Sequence, residues 1–270
     1  MVQVSRRSTL AAASGALACA ATPGLAAVTR FTNPGRAESS QSQRVSHLVI
    51  HRDESGGTDY FAPIAIAAPD TAWATFTALT EQRYCAALAD YRLRGYGLHR
   101  VNAFQTKAGM RYAAIWQWRR SAPDHVEHDM TLDAFRGAVD RLAQQGYALV
   151  HLDGSATRTG ARFAGIWEKS QGPAQKVFAD LTGAAYRQTA ASLTAEGFHP
   201  QRIAGYTVGG QARFAAIFAG GAARMQAHHA LAAPRFYALA IAALERGHQL
   251  RDASGYVVRG APFYTAIWET

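Results

Sequence analysis

Three arginines recur in one motif: Arg111 in Arg-Tyr-Ala-Ala-Ile-Trp, Arg162 in Arg-Phe-Ala-Gly-Ile-Trp and Arg213 in Arg-Phe-Ala-Ala-Ile-Phe. A guanidinium grips carboxylate or phosphate through a planar fork of N–H donors. Arg111, Arg162 and Arg213 are therefore the candidate ligand-binding row, and the ligand would be an anion. The competing reading, and the preferred one, is that each arginine pairs with a neighbouring strand or carbonyl to fix register. A fourth copy of the motif carries Phe263 instead, which fits either reading.

The ten histidines offer less. Some sit beside acids: His51 with Asp53, His125 and His128 with Glu127 and Asp129, and His151 with Asp153. A zinc site needs about three converging protein ligands, and these pairs are scattered along the chain. His228-His229 lacks the i, i+4 spacing that would put both on one helix face. Surface and capping roles are the expectation, with no metal. No Gly-x-Ser-x-Gly elbow supports a serine nucleophile. Gly205-Tyr206-Thr207-Val208-Gly209-Gly210 falls in a hairpin rather than between a strand and a helix, so it does not read as a nucleotide loop. No cofactor site and no catalytic constellation are expected, and the chain is read as a non-enzyme.

The elements that would position these residues come from a repeat. The isoleucines 115, 166, 217 and 267 of the four motifs keep a spacing of about 51 residues, and so do Gly95, Gly146, Gly197 and Gly247. Phe61-Ala62-Pro63-Ile64 is a degenerate fifth copy. Within each unit a Thr (Thr80, Thr131, Thr182) precedes an amphipathic run and can cap a helix. The glycine about fifteen residues on supplies its left-handed end. An aromatic (Tyr96, Tyr147, Phe198) then opens a strand. A turn at Gly109, Gly160, Gly210 or Gly260 returns the chain along a second strand. Alternation sets Tyr112, Ala114 and Trp116 on one face and Arg111, Ala113 and Ile115 on the other. The large–small–large row predicts that the helices lie on the Tyr/Trp face.

The predicted fold is α+β: four tandem helix-strand-strand repeats (69–119, 120–170, 171–220, 221–270) after an N-terminal hairpin (45–68). They are expected to form a curved, mostly antiparallel sheet of about ten strands with helices on one face. The hairpin could close the sheet edge or accept a partner strand.

Ahead of the repeats, Ser5-Arg6-Arg7-Ser8-Thr9-Leu10, an uncharged alanine-rich run and small residues at Gly24, Ala26 and Ala27 read as a twin-arginine signal peptide over 1–27. That run is too short and too alanine-rich to span a bilayer, and a lipobox reading at Cys19 is the weaker one. Residues 28–44, rich in Ser and Gln, read as a flexible leader. The expected location is periplasmic or extracellular. Of the two cysteines, Cys19 lies in the signal, so Cys85 has no partner for a disulfide.

A formal net charge of +9 favours anionic partners, but no dense Lys/Arg run marks a nucleic-acid patch, so nucleic acid is disfavoured. With 49% hydrophobic residues the chain can bury a sizeable core.

The units resemble the bacterial tandem repeat domain also found as the N-terminal part of polyglycine hydrolases. The residues that carry this are Leu79-Thr80, Tyr84, Gly95-Tyr96 and Arg111 to Trp116, then Leu181-Thr182, Tyr186, Gly197-Phe198 and Arg213 to Phe218, with Gly172-Pro173 as the linker motif. In that family the repeats precede a β-lactamase-like serine hydrolase domain. The chain has no Ser-x-x-Lys motif, so the resemblance implies the accessory role and not the hydrolysis. Together these readings predict an exported, non-catalytic binding or scaffold module for an anionic cell-envelope polymer or a secreted protein. The alternatives are an accessory partner of a separately encoded serine hydrolase, or an unrecognised hydrolase.

Overall fold

The computed structural model describes residues 36–38, 43–52, 59–67, 72–106, 108–118, 125–157, 159–170, 172–221 and 224–270. The first 35 residues, including the signal motif, lie outside them, as does Asp53. For residues up to 67 the description covers the backbone. Strands β1 (Arg36–Glu38), β2 (Gln43–Arg52) and β3 (Asp59–Ala67) come first. The first repeat is then β4 (Trp73–Leu79), α1 (Glu81–Leu93), β5 (Tyr96–Thr106) and β6 (Gly109–Trp118). The second is β7 (His125–Met130), α2 (Leu132–Gln144), β8 (Tyr147–Thr157) and β9 (Gly160–Lys169). The third is β10 (Gln175–Leu181), α3 (Gly183–Ala195), β11 (Phe198–Val208) and β12 (Gln211–Gly220). The fourth is β13 (Met225–Ala232), α4 (Ala233–Glu245), β14 (Gln249–Val258) and β15 (Ala261–Glu269).

The α+β repeat architecture matches the expectation, and so does the hairpin over the N-terminal segment. The helix signals act as predicted. Thr80, Thr131 and Thr182 accept hydrogen bonds from the N–H groups of Arg83, Ala134 and Ala185. Ala232 makes no such cap, and a proline in the first turn starts α4. Gly95, Gly146, Gly197 and Gly247 all take φ between +75° and +81°, the region that ends a helix cheaply only for glycine. The helices lie on the Tyr/Trp face: Tyr84 of α1 stacks on Tyr112 at 4.6 Å, Tyr91 stacks on Trp116, and Phe135 of α2 stacks on Phe163. Each such stack adds about 0.5–1.5 kcal/mol beyond the area it buries.

Each repeat also holds a third strand that the helix-strand-strand reading did not include. It precedes the helix and pairs antiparallel with the last strand, so every repeat is a three-stranded sheet in the order first–third–second. A register shift breaks each first strand three or four residues before its end. In three of them the kink holds a residue with positive φ, namely Asp129, Asp180 and Ala230. The interruption hides the two-residue period from a sequence scan.

The expected single run of strands is divided into one sheet per repeat. The physical reason lies at the second strands, whose outward hydrogen bonds go to side chains of the next repeat rather than to another backbone. Successive second strands lie against each other, β5 to β8, β8 to β11 and β11 to β14. Strand β2 packs against β14 on one side and against β4, β5 and β6 on the other, so the circuit closes. The hairpin thus takes the place of a fifth repeat. The segment expected to be a flexible leader contributes β1, which pairs antiparallel with β4, and the first residues of β2. A bare strand edge offers hydrogen bonds that a short polar segment can satisfy.

The back face of each repeat packs on the front face of the one before it. Tyr206 of the third repeat meets Phe163 of the second edge-to-face, and Tyr256 of the fourth meets Phe214 of the third. Two glycines make room for this. A Cβ at Gly154 would lie 2.5 Å from the Tyr206 ring, and one at Gly205 would lie 2.3 Å from the Tyr256 ring.

Candidate functional site

The charged side chains buried in this molecule gather where the second strands meet. Arg100, His151, Arg202 and Asp252 occupy one register position of the four repeats, paired with Ile115, Ile166, Ile217 and Ile267 just past a bulge. In the hairpin, His47 holds the same position opposite Ile64. Two residues further on, the back face carries Asn102, Asp153, Ala204 and Ser254. Because the second strand is the edge of its sheet, its N–H and C=O groups need partners once buried.

The next repeat supplies them. Asp153 accepts from the Ala103 N–H at 2.8 Å and from Asn102 Nδ2 at 2.9 Å. His151 Nε2 lies 2.7 Å from the Val101 carbonyl oxygen, to which it donates. Arg202 Nε donates to the Leu152 carbonyl at 2.5 Å. Asp252 accepts from the Ile203 N–H at 3.1 Å, and Ser254 Oγ accepts from the Gly205 N–H at 3.2 Å.

Asp252 is also the hub of the charges. It is paired with Arg202 of the third repeat, and Arg100 of the first repeat reaches across to it at 2.8 Å. A second bond runs from Arg100 to the Arg251 carbonyl. Only 1% of the Asp252 side chain and 3% of the Arg202 side chain meets solvent. The Arg100–Asp252 contact joins the first repeat directly to the fourth.

Burial shapes the titration of this centre. It pushes the Asp153 carboxyl up to about 6, against the pull of Arg202 and of the Ala103 and Asn102 donors. Burial, reinforced by Arg202 and Arg100, holds the His151 imidazolium well below the usual histidine range. At neutral pH the centre therefore carries a neutral His151 between two arginines and two carboxylates.

Arg111, Arg162 and Arg213 stand elsewhere, at the hairpin ends, each tied within its own repeat. Arg162 Nε lies 3.4 Å from Asp129, and Arg213 Nε lies 3.3 Å from Asp180. Those aspartates are the positive-φ residues of the bulged first strands, so each ion pair staples a bulge to its hairpin. Arg111 has Ala78 at the corresponding place and donates instead to the Ala108 and Met110 carbonyls. All three residues are half-buried.

The histidine–acid pairs do not converge. His125 and Arg141 both bind Glu127, at 2.8 and 2.6 Å; burial raises that carboxyl's pKa, but these donors outweigh it and leave it lowered. His128 packs edge-on against Tyr84 and Tyr112. His229 packs edge-on against Phe214 and at a tilt against Tyr186. His151 and Asp153 bind backbone groups of the first repeat, not each other. Among the described residues no three of His, Cys, Asp and Glu gather as metal ligands, and Cys85 is free and exposed.

Two grooves lie between a helix and the first strand of the following repeat. One of about 440 Å³ separates α3 from β13 and is lined by Tyr186, Arg187, His199, Met225 and His229. The other, about 290 Å³, separates α2 from β10, where Ala179 stands at the place that His128 and His229 fill in the neighbouring joints.

A family model described as a polyglycine hydrolase-like structural repeat matches four times, over residues 70–118, 123–170, 172–219 and 222–270. The chain belongs to that repeat family. Each match opens just before or at a first strand and runs to the end of a third, so the family's unit is the three-stranded, one-helix repeat seen here. The curated proteins contain no match to the chain. The polyglycine hydrolase-like repeats use their most buried charges at the joints between units. Sequence reasoning missed Arg100, Arg202 and Asp252, although their spacing was readable from the same period that revealed Arg111, Arg162 and Arg213.

Proposed function

We propose that the protein is an exported, non-catalytic binding or scaffold module whose partner is an anionic cell-envelope polymer or a secreted protein. The observation that carries this reading is the division of labour among the charges. The buried ones bind backbone groups and each other, while half-buried arginines recur at three hairpin ends. Contacts repeated at regular intervals suit an extended ligand, and a formal charge of +9 favours an acidic one. Arg111, Arg162 and Arg213 are the proposed ligand contacts, each half-buried beside its structural partner. Export by the twin-arginine route rests on the Arg6-Arg7 motif and the small residues that follow it.

The test is retention of the chain from residue 28 on cell-wall, membrane and periplasmic fractions at low and moderate salt. Salt-sensitive retention on one acidic polymer, lost on reversing charge at Arg111, Arg162 and Arg213, is the expected result. Unchanged retention of the triple variant would remove the hairpin ends from the account.

The family description favours a second reading, in which the repeats accompany a separately encoded serine hydrolase. Capture of one discrete hydrolase that survives salt would support it over the polymer. Labelling of the pure folded chain by an active-site serine probe would contradict both.

A further inference from the structure

The repeats act as controls for one another, and one corner of the first repeat departs from the rest. Leu93, at the end of α1, is 89% exposed, and Trp118, at the end of β6, is 52% exposed. Both lie at the same end of the repeat: Leu93 is the last residue of α1, two before Gly95, while Trp118 pairs with Tyr96 and its Nε1 would lie 3.3 Å from a Cβ on Gly95. At the position of Leu93 the other repeats carry Gln144, Ala195 and Glu245, and at the position of Trp118 they carry Lys169, Gly220 and Thr270. The fold therefore does not need an apolar side chain at either place. Two large apolar side chains exposed where the sister repeats carry polar or small ones are available for a contact.

Arg92 and Arg94 flank Leu93, where the second repeat has Ala143 and Gln145, the third has Thr194 and Glu196, and the fourth has Leu244 and Arg246, so only the first repeat has an arginine on both sides. Arg94 lies over the Tyr91 and Tyr96 rings at 4.8 and 5.6 Å, and it meets Asp90 at 3.4 Å. Both members of that ion pair are about half exposed, so solvent leaves the pair weak.

We propose that this corner seats the protein on a bilayer surface bearing anionic lipids. An exposed Leu flanked in sequence by two arginines, with an exposed Trp at the same end of the repeat, matches what an interface takes: an amphipathic ring at headgroup depth, an aliphatic tip below it and guanidiniums at the phosphates. A protein partner fits less well, because a stable protein interface buries about 1,200–2,000 Å² around an apolar core, and two side chains provide neither. The corner lies at the opposite end of the β5–β6 hairpin from Arg111, so the inference is independent of the polymer reading and fails separately from it.

The test uses the chain from residue 28 and vesicles of phosphatidylcholine alone or mixed equally with phosphatidylglycerol. Leu93→Gln with Trp118→Thr installs residues that sister repeats carry at these positions, so the thermal melt should not move. The parent should sediment with the mixed vesicles in low salt, bind phosphatidylcholine alone more weakly, and have its fluorescence quenched by brominated acyl chains. The double variant should lose at least about tenfold in partitioning, together with the quenching. No sedimentation with either vesicle, equal binding by the double variant, or equal binding to both vesicle types would each overturn the proposal. So would retention confined to a soluble acidic polymer.

Discussion

The second strand of each repeat and its first strand are both sheet edges, yet they are completed in opposite ways. At the second strand, which is buried, the next repeat sends Asp153, His151, Arg202, Asp252 and Ser254 onto the exposed N–H and C=O groups. At the first strand, which lies on the outside, a bulge and polar side chains such as His125, Glu127 and Lys176 discourage further pairing. Only β4 has its outer edge covered by a described strand, the chain's own β1. A charge that recurs in phase is therefore not by itself a sign of a ligand. In the ring centre it completes a backbone edge, and at the hairpin ends it fixes a bulge and stays half-buried.

The contrast can be broken most sharply at Asp252. Replacing it with Ala strands Arg202 and Arg100 without their carboxylate and frees the Ile203 N–H. A loss of about 3–5 kcal/mol in unfolding free energy is expected from chemical denaturation. A loss under 1 kcal/mol would mean that the centre is wet and the joint is not electrostatic.

The pH dependence of the centre is the next largest effect, and its two titrating groups oppose each other. Asp153 titrates near 6 when folded, against 3.8 as a free group. Its contribution is fully present below about 3.8 and is lost as pH rises through about 6. His151 is held below its ordinary 6.5, so its contribution is present above 6.5 and is lost as pH falls below that value. Measured against the parent, Asp153→Asn should erase a gain on acidification between pH 6 and 4, on the order of 2 to 3 kcal/mol. His151→Gln should make the protein more tolerant of the same acidification. Parallel pH profiles for the parent and both variants would contradict this assignment.

Gly205→Ala tests the packing side of the joint. The added carbon meets the Tyr256 ring, and a cost of about 1–3 kcal/mol is expected. Adding Tyr256→Ala should not cost the full sum, because the clash is then gone. The smallest effects belong to the outer edge: Arg162→Ala and Arg213→Ala remove partly exposed ion pairs and should each cost about 0.2–1 kcal/mol.

Much of this fold is legible in the sequence, because the features that repeat by residue type are conspicuous. The capping threonines, the helix-ending glycines and the Tyr–Ala–Trp row each announce an element and a face. The first strands are harder to see. Their six to eight residues are broken by a bulge, so Val126, Glu127 and His128 show no clean alternation. The ring centre escapes for another reason. Its position repeats as Arg100, His151, Arg202 and Asp252, where no two successive repeats share a residue type, because each must complement its neighbour rather than resemble it. Nothing in the alternation of β5 shows that its polar face will be buried, since burial follows from closure of the circuit by β2.

The most direct test of the central claim is a double-mutant cycle on Arg202→Met and Asp252→Leu, followed by urea unfolding. Removing either partner leaves a buried charge, whereas removing both puts apolar side chains in their place and leaves Arg100 with its bond to the Arg251 carbonyl. The account predicts that the double variant is more stable than the sum of the single losses implies by at least about 1–3 kcal/mol. It also predicts unchanged retention on the envelope fraction that binds the parent. Additive losses in stability, together with loss of that retention, would contradict it and make the ring centre the binding site.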